Sequence, residues 1–235
     1  MELCFTSTIR RYYELEVPST APGRHAWPLL IALHGYQGDK DSMMEVARDI
    51  ADGRMVVISL QGHNQFFIRD GTNNLTEPKN HRVVFGWGTY YKMEESVRIH
   101  HQAIRRLIRL AVRNHQADAS SVFLLAFSQA CAYNYRYAFT YPDQIRGVIG
   151  VCGGVPADWD TNPLYKPAST HVLHIAATED EWYPYERNLD HQRKLAERAA
   201  SLDFRFYDSK HRFPRSSIPD IQKWIDKIAD LRSQT

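Results

Sequence analysis

The stretch Ser121-Val122-Phe123-Leu124-Leu125-Ala126-Phe127-Ser128-Gln129-Ala130 constrains this chain more than any other. An apolar run with strand character ends at a serine, and a helical pattern begins at once, with no loop between them. Such a junction is the shape of a nucleophile elbow, a sharp and strained strand-to-helix turn that leaves the serine hydroxyl exposed above the sheet. Strand and helix crowd together there, so the residues two positions either side must be small. Ala126 and Ala130 stand where the usual G-x-S-x-G pattern has glycine. The stretch points to a serine hydrolase.

The rest of the chain alternates strand and helix signals around this turn. Strand-like runs cover Arg11 to Val17, Pro28 to Leu33, Met55 to Leu60, Val122 to Phe127, Ile145 to Val151, His171 to Ala176 and Phe204 to Tyr207. Helical patterns cover Ser42 to Asp52, with Asp41 as the expected N-cap, then Glu94 to Asn114 and Ala130 to Thr140. Two more run from Tyr185 to Ala200 and from Ile218 to Leu231. On the long second helix Val97, Ile104, Leu107, Ile108 and Ala111 form the inner stripe, and His100 and His101 are expected to be exposed. Continuous apolar strands separated by helices predict a mostly parallel central sheet with helices on both faces. The 235 residues suit a single domain, 1–235, with no separate cap domain. Gln61 to Lys92 reads as a long irregular segment carrying Phe66, Phe67, Trp87, Tyr90 and Tyr91, the kind of loop that serves as a lid or binding loop.

Composition narrows the partners. A formal net charge of +2 gives no reason to expect nucleic acid or an acidic membrane surface. Arg98, Arg105, Arg106, Arg109 and Arg113 share one helix and read as its solvated face. Cys4, Cys131 and Cys152 lack paired spacing, so no disulfide or zinc framework is expected, and Cys131 reads as a packed, inert thiol. No grouping of His, Asp and Glu has metal-ligand spacing, so neither metal nor cofactor is expected. The start of the chain shows no secretory pattern, and no apolar run approaches the ~18 residues of a membrane span, so the expected location is cytoplasmic.

A serine becomes a nucleophile when a base takes its proton and a carboxylate orients that base. Downstream of Ser128 the chain offers both in the order acid, then base. The acid candidate is Asp180, in competition with Glu179 and Glu181, after a buried strand. The base candidate is His211, between the last strand and the last helix. Because the base must be neutral, activity is expected to fall as pH drops below ~6.5, the unperturbed histidine value.

Leu33-His34-Gly35, Phe127-Ser128-Gln129, Thr178-Glu179-Asp180 with Pro184-Tyr185-Glu186, and His211 with Phe213-Pro214 follow one another along the chain. In this order they resemble the phospholipase/carboxylesterase group of α/β-hydrolases, which includes acyl-protein thioesterases and small bacterial esterases. The resemblance spans residues 33 to 214 and departs from the usual pattern at Ala126 and Ala130. It implies Ser128 as nucleophile, His211 as general base and then acid, and Asp180 as orienting carboxylate. It also implies an oxyanion hole from the backbone N–H groups of Tyr36 and Gln129, and a small-molecule ester or thioester as substrate. His34 reads as a structural residue bonding loop backbone. Trp182 and Tyr183, beside the acid, and Trp87 are candidate substrate-binding residues, with Trp87 and Trp159 placed on rim loops. A serine peptidase or amidase, and a hydrolase-like protein that binds a ligand without turnover, are the alternatives.

Overall fold

The computed structural model of the chain describes residues 1–19, 26–69 and 81–229. Its elements in chain order are β1 (Tyr13–Glu16), β2 (Trp27–Leu33), α1 (Lys40–Ala51), β3 (Val56–Leu60), β4 (Asn64–Arg69), β5 (His81–Gly86) and α2 (Met93–Asn114). There follow β6 (Ala117–Phe127), α3 (Gln129–Thr140), β7 (Gly147–Val151), β8 (His171–Ala177), α4 (Tyr185–Ala196), β9 (Ser201–Tyr207) and α5 (Ile218–Ala229). Seven strands form one sheet in the order β1-β3-β2-β6-β7-β8-β9. β1 runs antiparallel to β3 at one edge, and every other pair is parallel. This is the mostly parallel sheet that continuous apolar strands predict.

The pleat divides each strand between two cores. Leu29, Ile31 and Leu33 of β2, with Val122, Leu124 and Ala126 of β6, pack against α2 and α3. Leu30 and Ala32, with Phe123 and Leu125, face α1 and α5. Helices therefore cover both faces. The helix behind Ser128 is enclosed on nearly all sides, since nine of the twelve residues of α3, from Ala130 to Phe139, are buried.

Several local expectations need correction. The N-cap of α1 is Asp39, whose Oδ1 accepts the Ser42 N–H at 2.8 Å, so the helix starts earlier and Asp41 lies in its first turn. The segment Gln61 to Lys92 is not irregular throughout: β4 and β5 pair as an antiparallel hairpin, with Phe66 opposite Val84. Exposure alternates along β4, with Gln65 and Phe67 exposed between partly buried Asn64, Phe66 and Ile68. α4 ends at Ala196, because the Ala200 N–H turns away to the Thr170 carbonyl at 3.0 Å and feeds β9. His100 and His101 are buried, at 0% and 8% exposure. The spacing that turns Val97 and Ile104 inward also turns these two inward, and an aromatic surround accepts them: Trp87, Tyr133 and Tyr137 around His100, Tyr137 and Tyr141 around His101. Trp159 is fully buried against Phe139 rather than on a rim. The expected last two residues of the final helix lie outside the described residues.

Candidate active site

All the chemistry-bearing residues lie beyond the carboxyl ends of the parallel strands, where the sheet opens and ligands bind in folds of this kind. β6 delivers Ser128. The residue sits at φ 54° and ψ −119°, a strained backbone that any L-residue adopts at a cost of ~1–3 kcal/mol. Its N–H is anchored on the Val151 carbonyl at 2.9 Å. The turn forms with alanine at both flanking positions: Ala126 and Ala130 are fully buried without displacing it. Space for the turn comes from neighbours instead. A Cβ on Gly35 would stand 2.8 Å from Phe127 Cδ1, and one on Gly153 would stand 2.5 Å from the Ser128 carbonyl oxygen.

β8 and β9 bring the candidate acid and base. The Thr178 N–H donates to the Tyr207 carbonyl and the Glu179 N–H to the Ser209 carbonyl, each at 2.9 Å. These bonds extend the β8–β9 pairing past the strand ends and carry Asp180 to His211. Asp180 is buried, and its Oδ1 accepts the N–H groups of Trp182 and Tyr183 at 2.8 and 3.0 Å. The His211 Nδ1 lies 2.9 Å from Asp180 Oδ2, and its Nε2 lies 2.8 Å from Ser128 Oγ. An ionised carboxylate only accepts, so Nδ1 carries the ring proton and Nε2 is left to accept the serine hydroxyl. The imidazole is held between rings, Phe127 on one side at 5.3 Å and Tyr183 at 5.9 Å, nearly parallel.

The loop after β2 lies beside the elbow because Leu33 pairs with Ala126 in register. His34 is buried there. Its Nδ1 donates to the Gly35 carbonyl at 2.7 Å and its Nε2 accepts the Gly62 N–H at 2.9 Å. Burial lowers its pKa, which keeps the ring neutral and suits a structural role in bonding loop backbone. Cys131 is buried beneath the turn, and desolvation raises its thiol pKa well above the ordinary range. Among the described residues no group of three or more His, Cys, Asp or Glu side chains could hold a metal ion.

The structure thus brings Ser128, His211 and Asp180 into one hydrogen-bonded row and sets Trp182 and Tyr183 against the imidazole. It does not bring Trp87 to the surface. Trp87 is fully buried, so it offers no face to a substrate, and its proposed place on the rim is corrected. Sequence reasoning missed Gln129 as a side chain. Its Oε1 accepts the Trp87 N–H at 2.9 Å and its Nε2 donates to the Gly88 carbonyl at 3.0 Å. No local pattern announces that contact, which joins residues some forty positions apart.

The sequence profile of the phospholipase/carboxylesterase family matches residues 18–229. The chain belongs to this family. No curated protein matches it in sequence. Among solved structures, the carboxylesterase of Bacillus cereus superposes with a TM-score of 0.68 at 17% identity, covering 93% of this chain and 94% of its own. A Mesorhizobium loti carboxylesterase gives 0.69 at 19% identity, with 92% and 94% covered. A phospholipase/carboxylesterase of Dyadobacter fermentans gives 0.68 at 16%, with 94% and 98% covered. At these identities the likeness is one of fold, the α/β-hydrolase fold. Family membership makes the chain an esterase-type hydrolase. Among the described residues no helix of this family member is long and apolar enough to cross a membrane.

Proposed function

We propose that the protein is a serine esterase that cleaves carboxylic esters or thioesters of small molecules through an acyl-enzyme. The observation that carries this reading is the continuous hydrogen bonding from Ser128 Oγ through the His211 ring to a buried Asp180. Ser128 Oγ attacks the acyl carbonyl while His211 Nε2 takes the hydroxyl proton, and Asp180 stabilises the imidazolium that forms. Collapse of the tetrahedral intermediate breaks the acyl–oxygen or acyl–sulfur bond, and His211 gives its proton to the departing alcohol or thiol. Water then attacks the acyl-enzyme, His211 takes its proton, and release of the acid returns the proton to Ser128.

Charge develops on the carbonyl oxygen only as each tetrahedral intermediate forms, so donors aimed at that position lower the barrier. The N–H groups of Gln129, the first residue of α3, and Tyr36, just after the β2 strand end, are the donors in this reading. Trp182, exposed beside His211, and Tyr183 form the apolar side of the entrance. No step requires a cofactor.

The test is hydrolysis of p-nitrophenyl esters from acetate to decanoate by the wild type and by Ser128→Ala. Turnover by the wild type, with a loss of about 10⁴-fold or more in the variant, is expected. Equal rates for the two, or no hydrolysis of any ester by the wild type, overturns the reading.

A further inference from the structure

Trp87 spans the gap between the two sides of the catalytic turn. Its main-chain N–H donates to Gln129 Oε1 at 2.9 Å, on the elbow side. Its indole Nε1–H donates to the His34 carbonyl at 2.7 Å, on the side of the loop after β2. The Gln129 side chain completes the elbow contact by donating from Nε2 to the Gly88 carbonyl at 3.0 Å. On the other side the Gln37 N–H donates to the Phe85 carbonyl at 2.9 Å, two residues before Trp87. One short segment, Phe85 to Gly88, therefore grips both the residue after the nucleophile and the residues flanking Tyr36.

The surroundings leave the indole little freedom. Trp87 has no exposed surface, and the rings of His34 and His100 pack on it at 5.2 and 5.9 Å. Glycines on both sides permit the close approach. A Cβ on Gly86 would lie 3.2 Å from Gln129 Oε1 and 3.3 Å from the Tyr36 ring, and one on Gly88 would overlap the Tyr133 hydroxyl. A phenylalanine would fill a comparable space but could not bond His34. The contact is thus specific to a side chain with an N–H at that reach.

We propose that Trp87 is a positioning residue: through Gln129 and His34 it fixes the separation between the Gln129 and Tyr36 N–H groups that receive the oxyanion. This inference rests on the serine-esterase reading. It gives Trp87 a role that needs no contact with substrate, and it assigns the Gln129 side chain a task separate from that of its main chain. Loss of one oxyanion donor costs about 10²–10³ in rate, so a donor displaced rather than removed is expected to cost about 10- to 100-fold.

The experiment compares Trp87→Phe and Gln129→Met with the wild type, at a temperature where each is fully folded by circular dichroism. Ester hydrolysis is measured beside inhibition by an alkyl trifluoromethyl ketone, whose adduct with Ser128 carries an oxyanion in the same place. The expected result is a fall of about 10- to 100-fold in kcat and an equal loss of inhibitor affinity, with KM within about threefold. A purely structural role would lower Tm and leave kcat and inhibitor affinity of the folded variants unchanged. Folded variants within twofold of wild type on both, or a fall in kcat with unchanged inhibitor affinity, overturn the proposal. Gln129 is only partly buried, so its variant decides the matter if Trp87→Phe does not fold. Failure of the underlying reading is seen separately, in wild type that hydrolyses no ester or Ser128→Ala that loses no activity, and the proposal then falls with it.

Discussion

Glu181 Oε2 accepts the main-chain N–H of His211 at 3.3 Å, while its neighbour Asp180 holds the imidazole of the same residue at 2.9 Å. Two consecutive acids thus grip one histidine, one by its backbone and one by its ring. The grips are unequal. Glu181 is exposed, and hydrogen bonds from its own N–H and that of His211 lower its pKa in full contact with water. The pairing of His211 Nδ1 with the Asp180 carboxylate is buried and sets the tautomer. Asp180→Asn is therefore expected to lower kcat by about 10⁴-fold, as loss of the orienting carboxylate does elsewhere. Glu181→Gln is expected to cost less than about tenfold, because an exposed charge contributes little. Steady-state kinetics of the two variants on one ester checks this, and similar losses from both would contradict it.

Gly153→Ala is expected to disturb the turn directly. The added Cβ would overlap Cys131 Sγ and press on the Ser128 carbonyl oxygen, which is main chain and cannot swing aside. Overpacking of this kind costs about 1–3 kcal/mol. Tm should drop by roughly 2–12 °C in a chain of this size, with a fall in kcat beyond the loss of folded protein. Unchanged Tm and kcat would show that the turn has slack.

Ala130→Gly offers the opposite comparison. The elbow closes with Ala130 fully buried on α3, so a glycine there relieves no clash. It removes a helix-favouring residue at about 1 kcal/mol. We expect a Tm lower by about 2–4 °C and a kcat within twofold of wild type. A clear gain in kcat would mean that alanine strains the nucleophile.

Acid should unfold the protein well before its carboxylates are protonated. Burial pushes the pKa of His101 and His191 down to about 4, and that of His174 to about 3. Arg105 and Arg136 beside His101, Arg187 beside His191, and His191 beside His174 push the same way. In the folded state these rings stay neutral, whereas the unfolded chain binds protons at them below ~6.5. The unfolded state thus holds more protons between pH 6.5 and about 4, and stability falls as pH drops through that window. Roughly 3 kcal/mol is at stake at each of the three rings by pH 4. Tm measured from pH 7 to pH 4.5 should decline steeply, and less so in His101→Phe. A flat profile would mean that the rings are protonated in place.

Much of this was legible in the sequence because strand, turn and helix signals at Ser128 are local. The apolar run, the serine and the helix that follows lie within ten residues, and their order leaves one geometry. The same holds for β2, β7 and β8, whose continuous apolar runs fit only a sheet covered on both faces. The hairpin β4–β5 was harder to see, since its two strands are separated in sequence by residues 70–80 and each alternates weakly. The side-chain type of His100 and His101 argues for exposure while their spacing argues for burial, and the aromatic rings of Trp87, Tyr133 and Tyr137 that enclose them come from distant parts of the chain. Trp87 shows the limit of such reading. An aromatic in a glycine-rich segment looks the same whether it faces a ligand or ties two loops from within, and only the distances to His34 and Gln129 tell the two apart.

The helix behind the serine has almost no solvent face, and its strand lies in the middle of the sheet. Ser128 is therefore expected to leave its place only with the opening of the sheet, whereas Asp180 and His211 lie on loops beyond the strand ends that a few hydrogen bonds join. Regions of low local stability open first. On gentle warming or in dilute denaturant the Ser128 turn is therefore expected to outlast the loops that carry Asp180 and His211. The earliest inactive form is then expected to keep a native elbow with the loops of Asp180 and His211 displaced, and to recover by loop closure without refolding.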